Sequence, residues 1–160
     1  MLRKGDQIPQ NILIIDENNK EVTLSDYLTS KYLVVYFYPK DQTPGCTEEA
    51  CSFRDNNEKL KELDARVIGI SSDSQKSHGK FKKKEELNFE LLSDEDQKLQ
   101  NAFGVWTEKS MFGKTFMGTL RTTFLVNKEG EILETWGGES ENKIVTLTHA
   151  EDIVTVIKNL

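Results

Sequence analysis

The chain has 160 residues, 36% hydrophobic and 30% charged, with a formal net charge of −6. That length can bury one ordinary core, and the composition is that of a globular protein with no apolar run near the ~18–20 residues of a membrane span. The acidic balance excludes a general nucleic-acid binder, since the lysines form no long basic block and KFKKKEE (80–86) reads as the solvated face of a helix.

In chain order, MLRKGDQIPQ lacks the apolar centre of a signal peptide, so a reducing cytoplasm is expected. NILIIDENNKEVTL (11–24) predicts a hairpin turning at Glu17–Lys20, and LSDYL (24–28) a helical turn. YLVVYFYP (32–39) is β-branched and aromatic without alternation, as in a strand covered on both faces. A helix is expected from Thr43–Pro44, because proline suits the first helical position and Glu48 and Glu49 suit an N-terminal turn. ARVIGISSD (65–73) predicts a second buried strand and 75–87 a polar helix. FELLSDEDQKLQNAFGV (89–105) reads as a short strand, then a helix capped at Ser93 or Asp94 and stopped by Gly104. RTTFLVNKEGEILETW (121–136) is the clearest hairpin, and a last helix starts near Thr148 with Ile153, Val154, Ile157 and Leu160 as its apolar stripe. Strands alternating with helices imply a single layered α/β domain over 1–160, with helices on both faces of a mixed sheet and a hairpin at its N-terminal end.

The only two cysteines, Cys46 and Cys51, lie in YFYPKDQTPGCTEEACSFR (36–54). In a reducing compartment such a pair points to catalysis or metal binding rather than a permanent staple. Cys46 falls in the first turn of the expected helix, where free N–H groups and the dipole favour a thiolate. Thr43 places a hydroxyl three residues before it. A small buried cysteine behind a threonine cap explains the same letters, and position alone does not choose between the two.

Residues i and i+5 of an intact helix lie about 140° apart and about 8.7 Å between Cα atoms. A disulfide needs ~4.4–6.8 Å, so the bond requires the helix to unwind first. That suits a cycle in which one sulfur is oxidised alone and the second arrives later. The C-x-x-x-x-C spacing is not that of a C-x-x-C exchanger. Zinc would need more ligands, and His78 and His149 read as surface or capping residues; neither metal nor organic cofactor is expected.

Pro39, Thr43 and Cys46 spell P-x-x-x-T-x-x-C, and the chain resembles the peroxiredoxins, specifically the peroxiredoxin Q or bacterioferritin comigratory protein subfamily. The similarity continues through VIGISSD (67–73), NFELLSDED (88–96), FGVWTEKSMFGKTFMG (103–118) and RTTFLVNKEGEI (121–132). The resemblance implies a thioredoxin-like fold and reduction of hydrogen peroxide and organic hydroperoxides. It implies that Cys46 is the peroxidatic thiolate, oxidised to a sulfenic acid, and that Cys51 resolves it as an intramolecular disulfide. It further implies that Thr43 contacts sulfur and peroxide, that Pro39 shields the pocket and that Arg121 favours the thiolate and polarises the peroxide. Glu49 and Arg54 match commonly occurring positions. The charge of Glu49 would oppose a thiolate unless Arg54 or Arg121 offsets it. A thioredoxin or similar dithiol would recycle the disulfide of a monomer. A thioredoxin-like redox sensor and a non-enzymatic binding module on the same fold are the competing functions. The stretch KSMFGKTFMG (109–118) reads as a loop at the pocket mouth or as core aromatics, and Trp106 and Trp136 as packing residues.

Overall fold

The computed structural model covers residues 1–160. A short antiparallel pair, β1 (Ile14–Ile15) and β2 (Glu21–Val22), forms the expected hairpin. A 3₁₀ turn follows at Leu24–Tyr27, where the Thr23 N–H donates to the Asp26 carboxylate at 3.0 Å. The chain then runs through β3 (Tyr32–Phe37), α1 (Pro44–Glu62), β4 (Ala65–Ser71), α2 (Gln75–Glu85) and β5 (Glu90–Ser93). Beyond these come α3 (Lys98–Phe103), β6 (Trp106–Met111), β7 (Lys114–Thr119), β8 (Thr122–Asn127), β9 (Ile132–Gly137) and α4 (His149–Lys158).

Seven strands form one mixed sheet in the order β2-β1-β5-β4-β3-β8-β9. β3 pairs in parallel with β4 and antiparallel with β8, so the strand leading into the cysteine segment is central. All six residues of β3 are buried, as its unbroken apolar run requires. Tyr32, Val34 and Tyr36 face one core with Phe53, Leu60, Phe81 and Ile153, from α1, α2 and α4. Leu33, Val35 and Phe37 face the other, with Leu99 and Phe103 of α3. Period-two alternation on a strand covered from both sides thus yields the helix–sheet–helix sandwich of a thioredoxin-like fold.

The Tyr36 ring seats α1 on the sheet, stacking on Phe53 with centroids 4.5 Å apart. Gly69, opposite it on β4, leaves the room: a Cβ there would lie 2.8 Å from the Tyr36 ring and 2.9 Å from Leu91. On α4, His149 continues the Ile153–Ile157 stripe into the core, and the Ala150 N–H donates to Ser52 Oγ of α1 at 3.1 Å.

Two expectations need correction here. The helix expected at Ser93 or Asp94 starts at Lys98, because the Asp94 carboxylate reaches over an intervening turn to accept from the N–H groups of Leu99 and Gln100, at 3.1 and 2.8 Å. The stretch 109–118 is neither loop nor core. β6 and β7 form a separate hairpin turning on Phe112 and Gly113, both in the left-handed region at φ 52° and 76°. Phe112 is 97% exposed at its tip, so its ring contributes nothing to the core.

Candidate active site

From the buried end of β3 the chain passes through Tyr38 and half-buried Pro39 into a turn, with Gln42 at φ 62°. Thr43 occupies the position before the first helical residue, and Pro44 starts α1 without a lost hydrogen bond. The Thr43 hydroxyl caps no helical N–H; it donates to the Lys40 carbonyl at 2.9 Å and braces the turn. Its lone pairs remain free to accept a bond.

Cys46 lies in the first turn of α1, 2% exposed. Arg121, immediately before β8, reaches across so that Nη2 stands 3.2 Å from Cys46 Sγ. Gly45 leaves room for this approach, since a Cβ there would sit 3.3 Å from the same Nη2 and the guanidinium would have to give by a few tenths of an ångström. The other prong of the guanidinium donates from Nη1 to Glu49 Oε1 at 2.6 Å. Cys46 and Glu49, three residues apart on one face of α1, thus share one cation.

Glu49 is fully buried, and burial pushes its carboxyl up to about 7, with Arg121 opposing. Its Oε2 has no hydrogen-bond partner and lies 3.9 Å from His149 Nε2. His149 is also fully buried: Nε2 pairs with Thr123 Oγ1 at 2.7 Å and Nδ1 has no partner. Burial, then the charge of Arg121, pushes this imidazole down to about 3, so it is neutral near pH 7. The expectation that His149 lies at the surface or caps a helix is therefore overturned. Lys109 of β6 brings a second cation to the neighbourhood; burial and the charge of Arg121 lower its pKa, while Cys46 opposes that shift.

Cys51 lies half-buried on the intact helix, its Sγ 3.8 Å from Glu85 Oε2 of α2. Both thiols are free, in keeping with the separation that an unbroken α1 imposes. Of the two cations the sequence offered to offset Glu49, Arg121 does so and Arg54 does not. It points away, donating to Asp55 Oδ1 at 2.9 Å and to the Glu85 carbonyl at 2.7 Å, and its charge acts on Cys51 instead.

His78 is also buried, which corrects the surface assignment. Nδ1 faces Asp41 Oδ2 at 2.7 Å and Nε2 faces the Leu92 carbonyl at 3.0 Å. Asp41 further accepts from Tyr38 and Ser77, while its own N–H donates to Asp73. Asp41, Asp73 and His78 lie close enough to share a cation, but both Asp41 carboxylate oxygens, both His78 ring nitrogens and Asp73 Oδ2 already have hydrogen-bond partners. The cluster anchors the turn before Thr43 to the first turns of α2.

A profile of the AhpC/TSA family matches residues 5–135. Peroxiredoxin Bcp of Bacillus subtilis (strain 168) is 49% identical over 144 residues, 90% of this chain and 88% of that one. Peroxiredoxin Bcp of Escherichia coli (strain K12) is 46% identical over 82% of this chain and 83% of its own. Among solved structures, a cysteine-to-serine mutant of Xylella fastidiosa PrxQ superposes with a TM-score of 0.89 at 34% identity, covering 99% of this chain and 97% of that one. Xanthomonas campestris bacterioferritin comigratory protein, solved as a trapped intermediate/ligand complex to explain its alkyl peroxide reduction activity, gives 0.83 at 33% identity over 96% and 98%.

Proposed function

The chain belongs to the AhpC/TSA family and is a peroxiredoxin of the Bcp or Q kind, and we propose that it reduces hydrogen peroxide and organic hydroperoxides with Cys46 as the attacking sulfur and Cys51 as the resolving one. The observation that carries this reading is the 3.2 Å contact between Arg121 Nη2 and Cys46 Sγ at a helix N-terminus. A sulfur anion formed there would be met by a guanidinium and unpaired N–H groups.

The Cys46 thiolate donates its electron pair to the nearer peroxide oxygen. An S–O bond forms, the O–O bond breaks, and the departing oxygen takes a proton to leave as water or an alcohol. Arg121 can face the negative charge that builds on that oxygen, already oriented by Glu49, so no reorganisation is needed at the moment of reaction. Thr43, with its proton given to Lys40, has lone pairs for the proton of the incoming hydroperoxide. Pro39 walls the approach without offering a competing donor. The sulfenic acid on Cys46 then condenses with the Cys51 thiol, forming the disulfide and releasing water, once the first turns of α1 unwind. A thioredoxin or similar dithiol returns the pair to thiols. We place this cycle in a single domain over 1–160, acting as a monomer in a reducing cytoplasm.

Peroxide consumption coupled to thioredoxin, thioredoxin reductase and NADPH tests the reading. Wild type should turn over continuously and Cys46→Ser should not. Cys51→Ser should stop after reducing about one equivalent. Turnover in Cys46→Ser would identify the wrong nucleophile. Failure of the wild type with both thioredoxin and dithiothreitol, while one equivalent is consumed, would instead indicate a sensor.

A further inference from the structure

Resolution requires the N-terminal part of α1 to come apart, which raises the question of what holds it together and where the opening stops. Cys51, Arg54 and Asn57, spaced by three, lie along one side of α1 against the C-terminal end of α2. Glu86, at φ 53° in the left-handed region, ends α2 and turns the chain so that 85–88 run past this side. Arg54 Nη1 donates to the Glu85 carbonyl at 2.7 Å, and Asn88 Nδ2 donates back to the Arg54 carbonyl at 3.1 Å. Asn57 Nδ2 donates to the Asn88 carbonyl at 2.9 Å and to its Oδ1 at 3.2 Å. Leu87 and Phe89, on either side of Asn88, are buried in the core with Phe53. From Arg54 onward α1 is therefore bonded to an anchored segment.

Cys51 is held differently. Its sole polar partner is the Glu85 carboxylate, at 3.8 Å, and no backbone group takes part. Burial raises the Cys51 thiol, Arg54 opposes, and the charges of Glu85 and Asp55 raise it further; these three residues are the charged groups that face it from α1 and α2. A carboxylate beside a thiol disfavours the thiolate, which is the form that attacks a sulfenic acid.

We propose that Glu85 is a positioning residue that latches Cys51 to α2 by accepting its S–H, and that the Arg54–Glu85–Asn88–Asn57 bonds set the C-terminal limit of unwinding in α1. This rests on the reading of Cys51 as the resolving thiol. The latch opens as α1 unwinds: the Cys51 sulfur attacks the Cys46 sulfenic sulfur, an S–S bond replaces the S–O bond, and the Cys51 proton leaves with the hydroxyl as water. Glu85 thus keeps Cys51 unreactive before Cys46 is oxidised and slows resolution afterwards.

The test compares Glu85→Gln with the parent in two measurements. In a Cys46→Ser background, the pH profile of Cys51 alkylation by iodoacetamide should move to lower pH, with a rate about threefold to tenfold higher near neutral pH and an unchanged plateau at high pH. With Cys46 present, one equivalent of peroxide added to reduced protein should give a disulfide-forming phase faster by a similar factor. A raised plateau with an unmoved profile would mean that Glu85 only packs, and an unchanged profile and phase would remove the latch; either overturns the proposal. A slower disulfide phase would make Glu85 a base that assists resolution, the opposite of a latch. Cys51→Ser turning over at the wild-type rate would defeat the resolving assignment alone, because the alkylation profile still reports on Glu85. The limit of unwinding is read by hydrogen exchange on the oxidised protein: amides of 47–56 should lose protection, because the carbonyls four residues before them lie in the unwound stretch, and those from Glu58 onward should keep it. Loss extending through Glu62 would overturn that half.

Discussion

Replacing Glu49 by glutamine keeps an oxygen for Arg121 Nη1 and removes a charge that the fold has buried completely. The Glu49 carboxyl is raised from 4.5 to about 7. A carboxyl raised on folding contributes its full stability below its unfolded pKa and loses it as pH rises through the folded value. At about 1.4 kcal/mol per unit, the wild type should lose about 3 kcal/mol relative to Glu49→Gln between pH 4.5 and just above 7, and no more beyond. Urea unfolding of both reduced proteins at pH 5, 6, 7 and 8, followed by tryptophan fluorescence, gives the difference directly. Groups common to both cancel. Glu49→Gln should gain on the wild type across that window. A flat difference would refute the argument that burial dominates this carboxyl. A difference of opposite slope would show that Arg121 outweighs burial and holds Glu49 below its ordinary value.

Arg121→Lys removes the two-pronged grip on Glu49 and Cys46, which one ammonium cannot reproduce, and should slow the reaction of reduced protein with peroxide by about 10²-fold in stopped flow; a loss under threefold would exclude Arg121 from the chemical step. His149→Phe should flatten acid denaturation. The imidazole is depressed to about 3, so its contribution is complete above pH 6.5 and lost as pH falls through 3, by about 4–5 kcal/mol, and an unchanged acid midpoint would argue against this. His78→Ala takes one of three side-chain partners from buried Asp41, which keeps Tyr38 and Ser77, and opens a cavity; it should cost about 2–4 kcal/mol in chemical denaturation, while His78→Leu with Asp41→Asn should cost less, and equal losses would show that neither the cavity nor the unpaired carboxylate sets the cost.

The cysteine-bearing segment was legible because its signals are local. An unbroken apolar run, then proline at a helix start, specifies a buried strand feeding a helix, and helix geometry then keeps the two sulfurs too far apart to bond, while their roles came from the likeness to the peroxiredoxins. Arg121 and Cys46 are 75 residues apart, and only the likeness to the peroxiredoxins placed them together before the structure did. His149 was missed although a signal existed: 149, 153 and 157 step by four, so the stripe read from Ile153 extends backward onto the histidine. Its polarity hid its periodicity. His78 repeats the lesson with Phe81 three residues on, in a helix whose lysines make it look wholly exposed. Lys109 could not be found that way, since its approach to the site depends on how β6 and β7 are carried. Their turn was overlooked because phenylalanine is an unusual residue at positive φ, whereas Asn-Gly would have announced it.

In the proposed cycle the opening segment of α1 must be whole for the first chemical step and broken for the second. Its strength is therefore bounded from above as well as below. A substitution that stiffens 44–53, whether a better helix former or a tighter seat for Phe53, would be selected as an improvement in any screen for heat resistance. In the proposed cycle it would also lengthen the life of the sulfenic acid and lower throughput at high peroxide. Directed evolution on melting temperature alone should drift toward durable, sluggish variants, with the offending changes concentrated in this one stretch.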